Sequence, residues 1–388
     1  MSSGAGVSFF TQASGFAEQW PTTRRHIVDV MNSGKYSHGR KVAELECALA
    51  DYTGAEYVIG VNSGTDALVL LLLAAGLDAG QEVVVPAFSF VATASSVVLA
   101  GGRPVFADIE PEGYCLDPGS VESVLTDRTR YLMPVHLFCQ PADMTALLAI
   151  AARRELTVLE DSAEAIGMSY GATHAGLLGA GGVLSFFPTK TLGALGDAGA
   201  VLTNDPELAE VVSALRHHGR FGRTIDNFPG INSATGMPGF NSKMDDIQAA
   251  VLLAKLSTLD RDIQRRAELA AAYTERLAGL PGIRRLPRVL RRPEQVRGVF
   301  YVYVVEVDRR DQLVEHLTAC GVGTEVYYPT PLHLQPCFAE LGHRPGEFPN
   351  AEAACRTSVA LPLYPDLSLE DVDRVCAAMR RFYLGRAA

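Results

Sequence analysis

A lysine, a pair of carboxylates and a capped helix start are the parts of this sequence that could do chemistry. Lys190 ends the run Ser185-Phe186-Phe187-Pro188-Thr189-Lys190, and Gly193, Gly196, Asp197 and Gly199 follow it. An amine just past an apolar strand, inside a glycine-rich turn with two hydroxyls before it, is partly withdrawn from water. Desolvation disfavours the ammonium form, so such a lysine is expected to have a lowered pKa and to attack aldehydes. The plain alternative is a surface lysine on a loop. Glu160 and Asp161 close the apolar run that begins at Val158. In a parallel sheet the C-terminal strand ends face the ligand crevice, so a carboxylate there could take a metal, a ribose or a protonated ring nitrogen. It could equally cap the next segment. In Asn62-Ser63-Gly64-Thr65-Asp66, Ser63 and Asp66 have capping-box spacing and Gly64 allows a close backbone approach. The N–H groups and dipole of that helix start could hold a phosphate, or the helix is simply capped.

Taken together, the three features match the needs of pyridoxal 5′-phosphate: a helix N-terminus and hydroxyls for the phosphate, a carboxylate for the pyridine nitrogen, a lysine for the aldehyde. Dinucleotide and P-loop readings lack their motifs, because no G-x-G-x-x-G follows the first strand and no G-x-x-x-x-G-K-[ST] occurs. The seven cysteines are odd in number and never spaced C-x-x-C, so buried thiols are expected rather than disulfides or a metal site.

These residues need elements to position them. Apolar runs of strand length at Tyr57–Val61, Val83–Pro86, Pro104–Ala107, Arg130–Val135, Leu156–Glu160, Val183–Phe187 and Gly199–Thr203 alternate with helical patterns at Arg40–Tyr52, Thr65–Ala75, Phe90–Ala100, Met144–Arg153 and Pro206–Arg216. Continuous apolar strands suit a sheet covered on both faces, and the alternation predicts a mainly parallel α/β domain. After about residue 243 come helices near Met244–Leu259 and Arg261–Leu280, a strand at Val299–Val307, and helices near Asp311–Cys320 and Leu369–Phe382. That pattern predicts a smaller α+β domain, dividing the chain into 1–255 and 256–388. The arginine-rich stretch 284–297 reads as an exposed, solvated connection. The Gly/Pro-rich stretch 221–240 reads as a loop long enough to be functional.

Composition bounds the rest. The 388 residues fit two domains, and 48% hydrophobic with 20% charged residues describes a globular chain. A net charge of −10 argues against nucleic acid and anionic membranes. The N-terminus shows neither a basic nor an apolar leader pattern, and the most apolar run, 67–77, is about half a membrane span. A cytoplasmic protein is expected.

The chain resembles the DegT/DnrJ/EryC1/StrS family of pyridoxal-phosphate sugar aminotransferases. The matches include S-G-T-D-A-L at 63–68, V-P-A-F-S-F-V-A-T at 85–93, P-V-H-L-F-C-Q-P-A-D-M at 134–144, E-D-S-A-E-A at 160–165, S-F-F-P-T-K at 185–190, G-D-A-G-A at 196–200, N-S-K-M-D-D-I-Q-A-A at 241–250, Y-Y-P-T-P-L-H-L-Q-P at 327–336 and A-L-P-L-Y-P at 360–365. The resemblance implies an aspartate-aminotransferase-like fold, with a three-layer αβα domain around a mainly parallel seven-stranded sheet and a smaller α+β domain. By its motifs Lys190 would form the Schiff base and Asp161 would face the pyridine nitrogen. Phe90 would stack on the ring, with Phe88 a second candidate. Gly64, Thr65 and Ser185 would bind the phosphate, with Asn241 reaching in from the partner of a homodimer. Tyr328 and His333 would line the substrate entrance, and Glu164 would lie next to the cofactor.

The implied reaction moves the amino group of L-glutamate to a nucleotide-diphospho keto-6-deoxysugar, with dTDP as the expected nucleotide. Glu164, where many members have glutamine, favours C4 of the sugar slightly over C3, although 185–199 looks more like enzymes acting at C3. Competing readings are a dehydratase, which would carry histidine at 190, an aminotransferase for a cyclitol or aminobenzoate precursor, and a cofactor-binding regulator without turnover.

Overall fold

The computed structural model describes residues 6–37, 39–221 and 235–385. Its strands in chain order are β1 (Tyr57–Val61), β2 (Glu82–Pro86), β3 (Arg103–Ala107), β4 (Thr129–Leu132), β5 (Thr157–Asp161), the hairpin pair β6 (Ser169–Tyr170) and β7 (Thr173–His174), β8 (Gly181–Ser185) and β9 (Gly199–Thr203). Seven of them form one sheet in the order β1-β9-β8-β5-β4-β2-β3. The neighbours from β8 to β3 are parallel, while β9 runs against both of its own neighbours. Val83, Val84, Val85, Leu159, Val183 and Val201 are fully buried, as strands covered on both faces require. The sheet is mainly parallel, as the alternation predicts.

The early helices are α1 (Ala13–Ser33), α2 (Arg40–Thr53), α3 (Gly64–Ala74) and α4 (Val91–Leu99). Of these, α3 is apolar all round, and Ala67–Leu72 are buried against β8, β9 and α4. The sequence reading places no element before residue 40. There α1 is polar on average and carries Pro21 inside it, and it is held by packing on the helix Asp246–Leu256.

A second sheet, β10-β12-β13, comes from β10 (Ile283–Arg285), β12 (Tyr303–Val307) and β13 (Ser358–Leu361), while the short β11 (Val296–Arg297) pairs with β6. It sits over its own apolar cluster around Leu269, Tyr273, Tyr303 and Val375. Val7 joins that cluster and bridges to Val322. The strand expected from Val299 begins four residues later, because the Tyr301 N–H leaves the ladder to bond the Phe138 carbonyl at 3.0 Å.

The arginine-rich stretch keeps Arg284, Arg288, Arg291 and Arg297 exposed, as a solvated connection should, but it is also tied to neighbouring acids. Arg292 is gripped by both oxygens of Glu110 (2.6 and 2.7 Å) with 5% of its side chain exposed, and Arg284, Arg285 and Arg297 pair with Asp308, Glu306 and Asp260. A guanidinium fork matches a carboxylate, so acids on neighbouring segments capture these arginines. In the Gly/Pro-rich stretch, residues 222–234 lie outside the described residues. All seven cysteines are unpaired, but only Cys115, Cys139, Cys355 and Cys376 are buried; Cys47, Cys320 and Cys337 are exposed. Among the described residues no helix is long and apolar enough to cross a membrane.

Candidate active site

Strand β5 alternates its side chains between two faces, and this separates the two carboxylates. Glu160, fully buried, is committed to structure. It accepts the N–H groups of Gly176, Leu178 and Gly179 at 2.6–2.9 Å and stands 2.8 Å from His136 Nε2, whose Nδ1 accepts the Ala142 N–H. Asp161 faces a cavity of about 400 Å³. It accepts the Thr93 hydroxyl at 2.7 Å and the Ala163 N–H at 3.3 Å, and no ion pair among the described residues involves it. Burial raises its pKa above the ordinary carboxylate value, against the opposing pull of those two donors, Lys190 and His136.

Lys190 enters the same cavity from the turn after β8. The turn is tight: its Lys190 N–H bonds the Phe187 carbonyl at 2.8 Å, and a Cβ on Gly193 would meet the Pro188 carbonyl oxygen at 2.5 Å. The Nζ lies 3.1 Å from Glu164 Oε1 and 4.5 Å from the centroid of the Tyr301 ring. The expected lowering of its pKa is not what the structure gives. Burial does work against the charge, but Glu164, Tyr301 and Asp161 outweigh it, and the amine is pushed up to about 12. The Glu164 carboxylate arrives from the loop after β5; its motif places it beside the cofactor but does not pair it with the lysine.

At the third corner stands the N-terminus of α3. Ser63 caps it by accepting the Asp66 N–H at 3.0 Å, and the first α-helical bond runs from Ala67 to Ser63. The N–H groups of Gly64 and Thr65 therefore precede any intrahelical acceptor. The reciprocal half of the capping box is replaced, because the Asp66 carboxylate takes the Ser242 hydroxyl at 2.6 Å. A Cβ on Gly64 would lie 2.7 Å from Ser185 Cβ, so glycine is what lets this cradle close.

Phe90, 57% exposed, lines the cavity; Phe88 is fully buried beneath it against Tyr114, Phe138 and Tyr328. Gly64, Thr65, Asp161, Glu164, Ser185, Lys190 and Tyr328 line it too. Of the residues expected in this chain's own cavity, His333 does not. His333, 2% exposed, sits 3.3 Å from Glu352 with its ring on Phe348, because the short helix Leu332–Leu334 turns it into the core. Asn241 is exposed, bridged to His217, and stands outside this chain's cavity. Thr93, Thr189 and Tyr327 lie within the quoted motifs at 85–93, 185–190 and 327–336 without a role assigned to them, and Tyr301 lies in none.

The residues fit pyridoxal phosphate: a buried carboxylate without an ion-pair partner suits a protonated ring nitrogen, and a helix start pinched against Ser185 suits a phosphate. Among the described residues no group of metal-ligating side chains occurs.

A "Pleiotropic regulatory protein" of Geobacillus stearothermophilus is 41% identical over 94% of this chain and 95% of its own. The dTDP-3-amino-3,4,6-trideoxy-alpha-D-glucose transaminase of Streptomyces venezuelae is 38% identical over 97% and 96%. The crystal structure of S. venezuelae DesV in complex with a ketimine intermediate superposes with a TM-score of 0.91, at 38% identity over 98% of this chain and 99% of that one. Residues 21–380 match the DegT/DnrJ/EryC1/StrS aminotransferase family. The chain belongs to that family and is a pyridoxal-phosphate-dependent aminotransferase.

Proposed function

We propose that the protein moves the amino group of L-glutamate to C3 of a nucleotide-diphospho keto-6-deoxysugar, with dTDP the first nucleotide to test. The observation that carries the reading is the convergence of Lys190, Asp161 and the α3 N-terminus on one cavity, in a chain 38% identical to a dTDP-sugar transaminase.

When bound, pyridoxal phosphate supplies an electron sink that lets a proton leave the carbon bearing nitrogen. Asp161 holds the ring nitrogen protonated. The N–H groups of Gly64 and Thr65, with the Ser185 hydroxyl, hold the phosphate, and Phe90 covers the ring face. Lys190, as a free amine, moves the proton between C4′ and the sugar carbon, first as base and then as acid. Tyr328 meets the sugar side. Asn241, exposed and outside its own cavity, serves the partner's site in a homodimer. Residues 1–255 form the cofactor-binding part and 256–388 the smaller one, in a cytoplasmic enzyme.

Glu164 alone leans toward C4, but it has another occupation here, binding Lys190 and the Phe138 N–H. The name of the S. venezuelae relative supports C3.

An amination assay with glutamate and separate dTDP-linked 3-keto and 4-keto 6-deoxysugars tests both. Amino-sugar and 2-oxoglutarate should appear with the 3-keto substrate, and borohydride should trap the cofactor on Lys190. Turnover of the 4-keto sugar alone would overturn C3. Turnover by Lys190→Ala would remove that residue from the mechanism. Turnover of neither sugar would overturn the 6-deoxysugar as substrate.

A further inference from the structure

Tyr301 belongs to the small C-terminal part in sequence, yet it stands in the wall of the cavity. Its ring is fixed from every side. The hydroxyl bonds Thr189 Oγ1 at 3.2 Å and lies 3.4 Å from the Tyr327 hydroxyl. Its N–H bonds Phe138 O at 3.0 Å and Val299 O at 2.9 Å. Its carbonyl accepts Arg266 Nη1 at 2.9 Å, and the same nitrogen bonds Leu363 O at 2.8 Å. Arg266 is itself 2% exposed, a buried guanidinium spent on two carbonyls. So much anchoring presents one feature to the cavity, the ring face, and Lys190 Nζ lies over it at 4.5 Å.

An ammonium over an aromatic face is attracted by the ring quadrupole, and the attraction grows when water is excluded. On its other side the Nζ meets Glu164 at 3.1 Å. The charged and titratable groups that line the cavity with it are Glu164, Asp161, Asp197, Tyr301, Tyr327 and Tyr328, none of them a cation, while Lys255, Arg261 and Arg266 line the pocket behind its turn.

We propose that the Tyr301 face, with Glu164, is the seat that holds the Lys190 amine as an ammonium inside the cavity whenever it is not bonded to the cofactor. This rests on reading Lys190 as the cofactor lysine. The seat keeps the freed amine from folding away while the amino donor or acceptor occupies its place, and keeps the proton it has collected. Tyr301 is thus a residue of the proton transfer rather than part of the wall.

The test uses the full-length enzyme loaded with pyridoxamine 5′-phosphate, which leaves Lys190 free. Acetic anhydride labelling of Lys190, followed by mass spectrometry across alkaline pH, reports the apparent pKa of the amine without turnover. Tyr301→Leu removes the face, and its apparent pKa should fall by about one pH unit, with kcat down about tenfold and the glutamate KM within about threefold. Tyr301→Phe keeps the face and loses the Thr189 bond, so the labelling curve should stay in place while kcat falls a few-fold. Should the leucine variant fold poorly, Tyr301→Met gives the same readout. An unmoved curve in Tyr301→Leu or Tyr301→Met, or an equal displacement in Tyr301→Phe, would overturn the seat. Borohydride trapping on Lys190 in the wild type checks the underlying reading separately.

Discussion

The carboxylate of Glu164 binds two donors at once: Oε1 stands 3.1 Å from the Lys190 amine, and Oε2 accepts the Phe138 N–H at 3.0 Å. A glutamine has one acceptor oxygen and would satisfy only one of these donors. In Glu164→Gln the Lys190 ammonium loses its nearest countercharge, and its pKa falls. Whichever limb of the kcat–pH profile reports this amine should therefore move to lower pH, with kcat at the optimum within about tenfold of wild type. A profile that stays in place would mean that the amine does not respond to Glu164.

Gly64→Ala tests the phosphate cradle. The added methyl meets Ser185 Cβ at 2.7 Å and Oγ at 3.0 Å, where something must shift. Overpacking of this kind costs about 1–3 kcal/mol. Because the strain falls on the helix start proposed to hold the phosphate, cofactor titration of the variant should show affinity weakened about 10- to 100-fold. Unchanged affinity would place the phosphate elsewhere.

Lys255 braces the turn that carries Lys190 from behind. Its Nζ donates to Gly193 O and, at 2.9 Å, to Gln12 Oε1, while Gln12 Nε2 donates to Pro188 O at 2.6 Å. Burial lowers the Lys255 pKa to about 8. Between about pH 8 and the unfolded value near 10.4 the unfolded chain holds a proton that the native chain lacks, so stability rises with pH across that window. Urea unfolding at pH 8 and pH 10 should show wild type gaining about 2 kcal/mol relative to Lys255→Met, which has no such titration. Parallel pH dependence in the two proteins would contradict the lowered pKa.

The legible parts were those set by local pattern. Seven apolar runs gave the seven strands of the main sheet, because strands buried on both faces write their burial into every residue. Lys190 and Asp161 stood out because both follow such strands, where a parallel sheet gathers its ligands. What escaped depends on pairs far apart in sequence. Tyr301 comes to Lys190 only because its N–H abandons a strand ladder for Phe138. The sign of the Lys190 shift depends on Glu164, 26 positions away, and the fate of Arg292 on Glu110, 182 away. His333 was misplaced because its motif gives an address along the chain and not the direction of its ring.

Asp161→Asn separates stability from function. In the cofactor-free protein the Asp161 carboxylate is buried, with Thr93 and Ala163 as its donors, and its folded pKa is raised above the unfolded one. The native state then binds the proton more tightly than the unfolded state, so ionised Asp161 is a cost above its folded pKa, and the cost disappears as pH falls through that value. An asparagine carries no charge at any pH. The cofactor-free variant should melt higher than wild type near neutral pH, and the gap should close on acidification. With cofactor bound the order should reverse, since the proposed pairing with the positive ring would turn the burial of the carboxylate into binding energy. There the variant should bind the cofactor more weakly and lose about 10³-fold or more in kcat, roughly 4 kcal/mol of transition-state stabilisation. A less stable cofactor-free variant, or one with near-wild-type turnover, would mean that this carboxylate is not the one held in reserve for the ring nitrogen.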